Sequence, residues 1–258
     1  MRGSGIIKAI ILAAGYATRL YPLTLNTAKA LLPINNKPII NYTINELNKI
    51  KAIDKIYVVS NDRFYNDFCT WQKNVETIAP IEILNDKSKS EEDRLGAIGD
   101  IQFCIEQKNI NEDTIIIAGD NFFTSSLKPY YDFFKENNKD CVCVKEFFDK
   151  EKIKQFAVAN LDASGKITNL EEKPKYPKSN IAVYACYIYK KNTIALFETY
   201  LQEGNKKDAP GHFVEWLYKR KPVLAYKING ECYDIGTIES YEEVKSLSQV
   251  PHKVNIIN

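Results

Sequence analysis

Residues 12–24 read LAAGYATRLYPLT, and NTAKALLP follows. The run 6–12 before this stretch has the composition of a strand, and Ala13, Ala14 and Gly15 are small where that strand must turn into loop. Small residues let backbone N–H groups approach a ligand closely, and Arg19 follows with a planar fork of donors suited to phosphate oxygens. Lys29 adds a point charge on a longer, mobile stem. Together, Leu12 to Gly15, Arg19 and Lys29 make a polyphosphate cradle. Two commoner cradles do not fit: GYATRL has only one of the three glycines of a dinucleotide fingerprint, and no Walker loop is present.

Acids also stand at strand ends. TIIIAGDN closes an apolar run on Asp120, which puts it at the ligand rim of a sheet, and ECYDIGT places Asp234 at the end of another strand. Read alone, either aspartate is a helix cap or a turn residue before it is a ligand. Glu172 and Lys173, in LEEKP, read alone as a solvated charge cluster ahead of a proline turn.

Composition removes several other chemistries. With His212 and His252 as its two histidines, the chain lacks material for histidine-based zinc sites and for serine or cysteine triads. Its six cysteines are scattered without a C-x-x-C pair, and Cys141 and Cys143 alternate within an apolar strand, so reduced core thiols are expected. Lys+Arg 35 against Asp+Glu 33 gives a net charge of +2, which advertises neither nucleic acid nor an anionic membrane as partner. No apolar run reaches the roughly 20 residues of a membrane span, and MRGSG has no signal-peptide core. A soluble, cytoplasmic protein is expected, with residues 1–5 a vector-derived leader.

The elements that must position these residues alternate along the first half. Strand-like runs at 6–12, 55–60, 81–84 and 114–120 are followed by helical patterns at 38–50, 62–75, 95–107 and 127–138. That rhythm predicts βαβ units and a mostly parallel sheet whose strand ends line one rim. From residue 140 the texture turns to strands, at 141–147, 155–162, 166–174 and 180–189, with a hairpin turn at 164–166. Helices are expected at 192–202, 212–219 and 239–248, with a strand at 222–228 between the last two. Phe213, Trp216 and Leu217 are spaced as helix core. The reading is one α/β domain over 6–250, a nucleotide-binding half (6–139) joined without linker to an acceptor-binding half (140–250). The polar stretch 85–93 is expected to be a mobile active-site loop.

The chain resembles the sugar-1-phosphate nucleotidylyltransferases, closest to the glucose-1-phosphate thymidylyltransferase group. The resemblance rests on LAAGYATRLYPLT, KALLPINNKP, AGDN (118–121), LEEKP (170–174), KSNIAVYACYIY and CYDIGT (232–237), in the family's order over about residues 6–245. It implies a Rossmann-like, mixed, mostly parallel sheet flanked by helices, the nucleotide-diphospho-sugar transferase fold. It also implies that a sugar-1-phosphate oxygen attacks the α-phosphorus of a nucleoside triphosphate while pyrophosphate leaves in line. Under it Asp120 and Asp234 hold Mg2+, Lys173 contacts the acceptor phosphate, and Glu172, with Asn121 and Ala157, lies on the sugar. Arg19 serves the triphosphate and leaving pyrophosphate, Lys29 bridges phosphates, and Leu12, Ala13, Ala14, Gly15 and Gly119 line the nucleotide.

Departures from the family pattern fall at the specificity positions. Ala17 replaces the second signature glycine and still permits close approach at negative φ. Asn85 stands for the base-reading glutamine and can pair with a pyrimidine edge, whereas Arg94 replaces a glycine near the base. Phe156-Ala157 and Ala185-Cys186 suggest a fuller acceptor wall. The expected donor is dTTP or UTP, with a CTP-dependent cytidylyltransferase acting on another sugar phosphate or phosphorylated alcohol as the alternative. A catalytically silent nucleotide-sugar-binding homologue is the reading from another class. The expected assembly is a monomer or homodimer, because longer relatives carry the helices that build tetramers.

Overall fold

The structure is a computed structural model and describes residues 5–248. Residues 1–4 of the expected leader and 249–250 of the expected domain lie outside the described residues.

Strand β1 (Ile7–Leu12) turns Ile7, Ala9 and Ile11 toward one apolar layer and Ile10 toward the other. Apolar residues on both faces are what a strand sandwiched between helices requires. Short β2 (Pro33–Ile34) and β3 (Lys37–Pro38) form a hairpin whose turn residues Asn35 and Asn36 both take positive φ. Helix α1 (Ile39–Asn48) buries Ile40, Ile44 and Leu47 along one stripe. The alternation continues through β4 (Ile53–Ser60), α2 (Tyr65–Gln72), β5 (Ile81–Asn85), α3 (Ala97–Lys108) and β6 (Asp113–Ala118). A short β7 (Asn121–Phe123) and helix α4 (Lys128–Asn137) complete the first half.

The second half holds β8 (Asp140–Glu146), β9 (Ala157–Leu161), β10 (Ile167–Glu172) and β11 (Ile181–Tyr189). Helices α5 (Lys191–Ile194), α6 (Leu196–Gln202) and α7 (Gly211–Leu217) follow, then β12 (Val223–Lys227), β13 (Cys232–Asp234) and α8 (Ile238–Ser248). The helix expected over 192–202 is broken at Ala195, whose ψ of −15° tightens the turn between α5 and α6.

The main sheet runs β12-β8-β11-β6-β1-β4-β5, and every strand in that row except β11 points the same way. It is the mixed, mostly parallel sheet flanked by helices that the alternation predicts. Strand β11 is shared: Cys186 to Tyr189 pair with β6, while Ile181 to Val183 pair with β9, which carries β10. One apolar layer packs α1, α2 and α4 against the sheet, and the other packs α3, α6 and α7. Phe213, Trp216 and Leu217 lie in that second layer, with Phe213 stacked on Phe197 at 3.8 Å between centroids. The six cysteines carry free thiols, all buried but Cys69. No helix among the described residues is long and apolar enough to cross a membrane.

Candidate functional site

Leu12 and Ala118 are partners at the C-terminal ends of β1 and β6. Strand order runs outward in opposite directions from these neighbours, and open α/β sheets form their ligand crevice at such a switch point. After β1, the backbone from Leu12 to Gly15 lines a cavity of about 260 Å³. A Cβ added to Gly15 would meet nothing within 4 Å, so this part of the loop stands open to a ligand. After β6, Gly119 crosses against β1: its N–H donates to Leu12 O at 2.8 Å, and a Cβ would sit 3.0 Å from that oxygen. This close crossing carries Asp120 to the rim.

Asp234 arrives by a different route. Strand β13 pairs antiparallel with β7, which sets Asp234 opposite Asn121 and so beside Asp120. A single short ribbon joins residues from the two halves of the chain.

Three adjoining cavities meet around these acids. The first, already described, also takes in Lys29, Arg94, Gly119 and Asp120. A second, of about 190 Å³, is lined by Asp120, Asn121, Ala157, Glu172, Lys173 and Asp234, among others. A third, of about 330 Å³, has Arg19, Lys173 and Asp234 in its wall, with Lys152 and Lys154. The sequence-derived site residues therefore assemble around one centre, with one exception. Asn85 lines none of these cavities. Its Nδ2 donates to Asp62 Oδ1 at 2.7 Å and its Oδ1 accepts from the Lys87 N–H at 2.8 Å, so both ends of the amide are engaged away from the crevice.

Charge balance at the centre follows from proximity. Lys29 Nζ forms an ion pair with Asp120 Oδ2. Burial opposes the Lys29 charge, but Asp120 and Asp234 outweigh it and hold the ammonium above its usual range. Burial likewise opposes the Asp120 charge, and Lys29 overcomes it and keeps that carboxyl below its ordinary value. Asp234 goes the other way: burial and then the neighbouring Asp120 push it up to about 6, against the pull of Lys29 and Arg19. Two crowded carboxyls in hydrogen-bond contact form the hard-oxygen set that a divalent cation shares with phosphates and water. No cluster of three or more His, Cys, Asp or Glu side chains able to hold a metal occurs among the described residues.

Glu172 ends β10 opposite Ala157 of β9 and beside α7. Burial pushes its carboxyl up to about 7, with Lys173 pulling down and Glu215 pushing up. A Cβ on Gly211 would overlap Glu172 Oε2, so the absence of a side chain there makes room for the carboxyl. Lys173 itself takes φ 47°, in the left-handed region where an L-residue loses about 1–2 kcal/mol, and its N–H donates to Phe156 O at 3.2 Å.

Several expectations need correction. Ala17 does not sit at negative φ: it takes φ 51°, and Thr24 Oγ1 donates to its carbonyl at 2.8 Å, helping to hold the turn that presents Arg19. Of the residues expected to fill the acceptor wall, Phe156, Ala157 and Ala185 line the second cavity together with Tyr184, whereas Cys186 is fully buried in the core. The stretch 86–93 is folded on itself, with Asp86 accepting from the Ser88 N–H and Asp93 from the N–H groups of Lys89 and Ser90. Gly96, Asp100 and Asp208 line the first cavity and were missed. Gly96 has φ 79°, and a Cβ there would lie 2.6 Å from Lys207 O, so a glycine directly before a helix was the available signal. An acid between Ile98 and Ile101, on an apolar helix face, was the signal for Asp100.

The sheet order and its crevice are those of a doubly wound α/β protein with its ligand crevice at the topological switch point. The profile of the nucleotidyl transferase family matches residues 8–249, and the chain belongs to that family. It is 26% identical over 249 residues to a glucose-1-phosphate adenylyltransferase of Lachnospira eligens, covering 91% of this chain and 58% of that protein. It is 25% identical over 247 residues to a UTP–glucose-1-phosphate uridylyltransferase of Haloferax volcanii, covering 94% of this chain and 97% of that one. A UDP-glucose pyrophosphorylase solved with UDP-glucose shares the fold, with a TM-score of 0.80 at 23% identity over 93% of this chain and 97% of that one. The chain spans 51% to 62% of the length of the first relatives it matches.

Proposed function

We propose that this chain joins a nucleoside triphosphate to a sugar 1-phosphate, releasing pyrophosphate and a nucleoside diphosphate sugar. The observation that carries the reading is the meeting of three cavities at Asp120, Asp234 and Lys173, with a backbone cradle on one side and Glu172 on the other. A phosphate monoester is anionic at neutral pH and needs no general base, which suits a site without histidine at its centre. Its oxygen forms a bond to the α-phosphorus as the bond from that phosphorus to the bridging oxygen breaks, and the electron pair leaves with pyrophosphate. The obstacle is bringing anions together, and positioned cations lower it.

In this reading Arg19 binds the triphosphate and the departing pyrophosphate, Lys29 bridges phosphates, and Lys173 holds the acceptor phosphate. Glu172, Asn121 and Ala157 seat the sugar. Asn121 is fixed for this by its Nδ2, which donates to Ala185 O at 3.2 Å. Asp120 and Asp234 would hold Mg2+, which when bound supplies further neutralisation of phosphate charge. All of these residues come from one chain, so a monomer or a homodimer suffices.

The thymidylyltransferase resemblance points to dTTP or UTP as donor. A second reading, a donor such as CTP, is favoured by Asn85 lying off the crevice while Asp100 lines it. Pyrophosphate release from a panel of triphosphates with glucose 1-phosphate and other sugar phosphates tests the proposal. Release that requires both substrates is expected, and silence with every pair would leave only a binding role.

A further inference from the structure

The link between β8 and β9 reads DKEKIKQF over residues 149–156. Asp149 Oδ1 accepts from the N–H groups of Glu151 and Lys152 at 2.9 and 3.0 Å, which starts a tight turn over Lys152–Gln155. Ile153, 2% exposed, anchors that turn in a small apolar cluster with Val158 and Ala182. The lysines on either side of the anchor, Lys152 and Lys154, both line the third cavity. None of the motifs read from the sequence includes them.

Charge in that cavity does not balance. Arg19, Lys152, Lys154 and Lys173 stand in its wall against Asp234, Glu231 and Glu243. Glu231 is already paired with Lys145, and Asp234 is crowded against Asp120 in the acid pair given above to Mg2+. Lys154 reaches Glu151 at 2.6 Å, but Arg19, Lys152 and Lys173 have no ion-pair partner among the described residues. Cations gathered without counter-ions repel one another, and an anion entering between them relieves the repulsion.

The position of the cavity says which anion. Asp120 lines the first and second cavities and Asp234 the second and third, so all three open on the point where these acids meet. The proposed reaction places the α-phosphorus there and has three parts to seat. The nucleotide takes the first cavity and the sugar phosphate the second. Pyrophosphate, the more highly charged product, is left for the third, which at about 330 Å³ is the largest of them.

We propose that Lys152 and Lys154, together with Arg19, receive the leaving pyrophosphate, so that the third cavity is its holding site and its exit. This inference rests on the nucleotidyltransferase reading and adds two binding residues to it. Pyrophosphate then binds the free chain without nucleotide, gripped by residues from both halves. In the reverse direction the same site presents it: a pyrophosphate oxygen forms a bond to the α-phosphorus of the nucleoside diphosphate sugar as the bond to the sugar phosphate breaks, and the electron pair leaves with the sugar 1-phosphate.

The test titrates the chain calorimetrically with sodium pyrophosphate in Mg2+, without nucleotide. The wild type is compared with the double variants Lys152→Ala/Lys154→Ala and Lys152→Arg/Lys154→Arg. Loss of two charged contacts should raise the Kd by about 10-fold or more in the alanine variant, and the arginine variant should restore it. Both lysines reach solvent, so the variants should fold. With any substrate pair that turns over, the inhibition constant for product pyrophosphate should rise by the same factor while the KM for the sugar phosphate stays put. Absence of binding by the wild type overturns the inference, and so does wild-type affinity in the alanine variant. A raised KM for the sugar phosphate with unchanged pyrophosphate inhibition also overturns it, by giving the lysines to an anionic group of the acceptor. Pyrophosphate binding without turnover of any substrate pair strikes the nucleotidyltransferase reading instead, a distinct result.

Discussion

The Lys29 ammonium is paired with the Asp120 carboxylate across 91 residues of sequence, and the two side chains keep only 21% and 14% of their exposure. The pair fixes the centre of the site, because Asp234 leans on Asp120 and Lys29 offsets both acids. Replacing Lys29 with methionine would leave two crowded carboxyls without their cation. Loss of order 3 kcal/mol of stability is expected, together with a fall in turnover of about 100-fold or more, read by thermal melting and steady-state rates. A variant with wild-type melting and rate would show that the pair is incidental.

Arg19 presents the opposite case. It is exposed and lies against Gly236 at the wall of the third cavity. Arg19→Ala should melt within about 0.5 kcal/mol of wild type yet lose roughly two to three orders of magnitude in turnover. Lys173→Ala should lose a similar factor. Near-normal turnover in either purified variant removes that residue from the assignment.

Gly211 makes room for a carboxyl. Gly211→Ala would press on Glu172 and on Ala157, whose Cβ lies 2.9 Å from the new atom. The expected result is a higher KM for the sugar phosphate with the triphosphate KM unchanged. Equal rises in both constants would indicate a general distortion instead.

Asp100 also makes a prediction about stability. Its pKa is about 8 in the folded chain against an ordinary 3.8, so between these values the native state binds more protons than the unfolded state. Stability arising from this group is complete at low pH and is lost as pH climbs toward 8. Asp100→Asn has no such titration. The variant's melting temperature relative to wild type should therefore rise from pH 5 to pH 8, and a difference independent of pH would refute that raised pKa.

Chelation supplies a fifth check. If Asp120 and Asp234 share a divalent cation with the substrates, excess EDTA should abolish pyrophosphate release and Mg2+ should restore it. Full activity in chelator would assign the two acids to holding Lys29 alone.

Much of this architecture was legible because it is periodic. β1, β6 and α1 carry patterns in which both faces, or one stripe, are apolar, and local preference agrees with burial. Arg19, Lys29, Asp120, Glu172, Lys173 and Asp234 were reachable through motifs at strand ends. What could not be read was pairing over long distances between short segments. β7 and β13 have three residues each and no pattern of their own, yet their register is what brings Asp234 to Asp120. Asn85 misled for a related reason: residue type and position suited a base reader, but Asp62 and the Lys87 N–H claim its amide. Asp100 went unread because what sets it apart is Asp86, a neighbour from another element that no local pattern announces.

The shared strand β11 limits how the molecule can move. One end is laced to β6 and the other to β9, with a register shift against β8 between Val183 and Tyr187. Swinging the two halves apart like jaws would shear both ladders together. The segment leading to Gly96 is tied in turn at its helix start, where the Asp208 and Lys207 carbonyls accept from the Ala97 and Ile98 N–H groups. A latch of that kind joins the wall of the first cavity to the chain that also borders the second, since Asp208 and Pro210 line both.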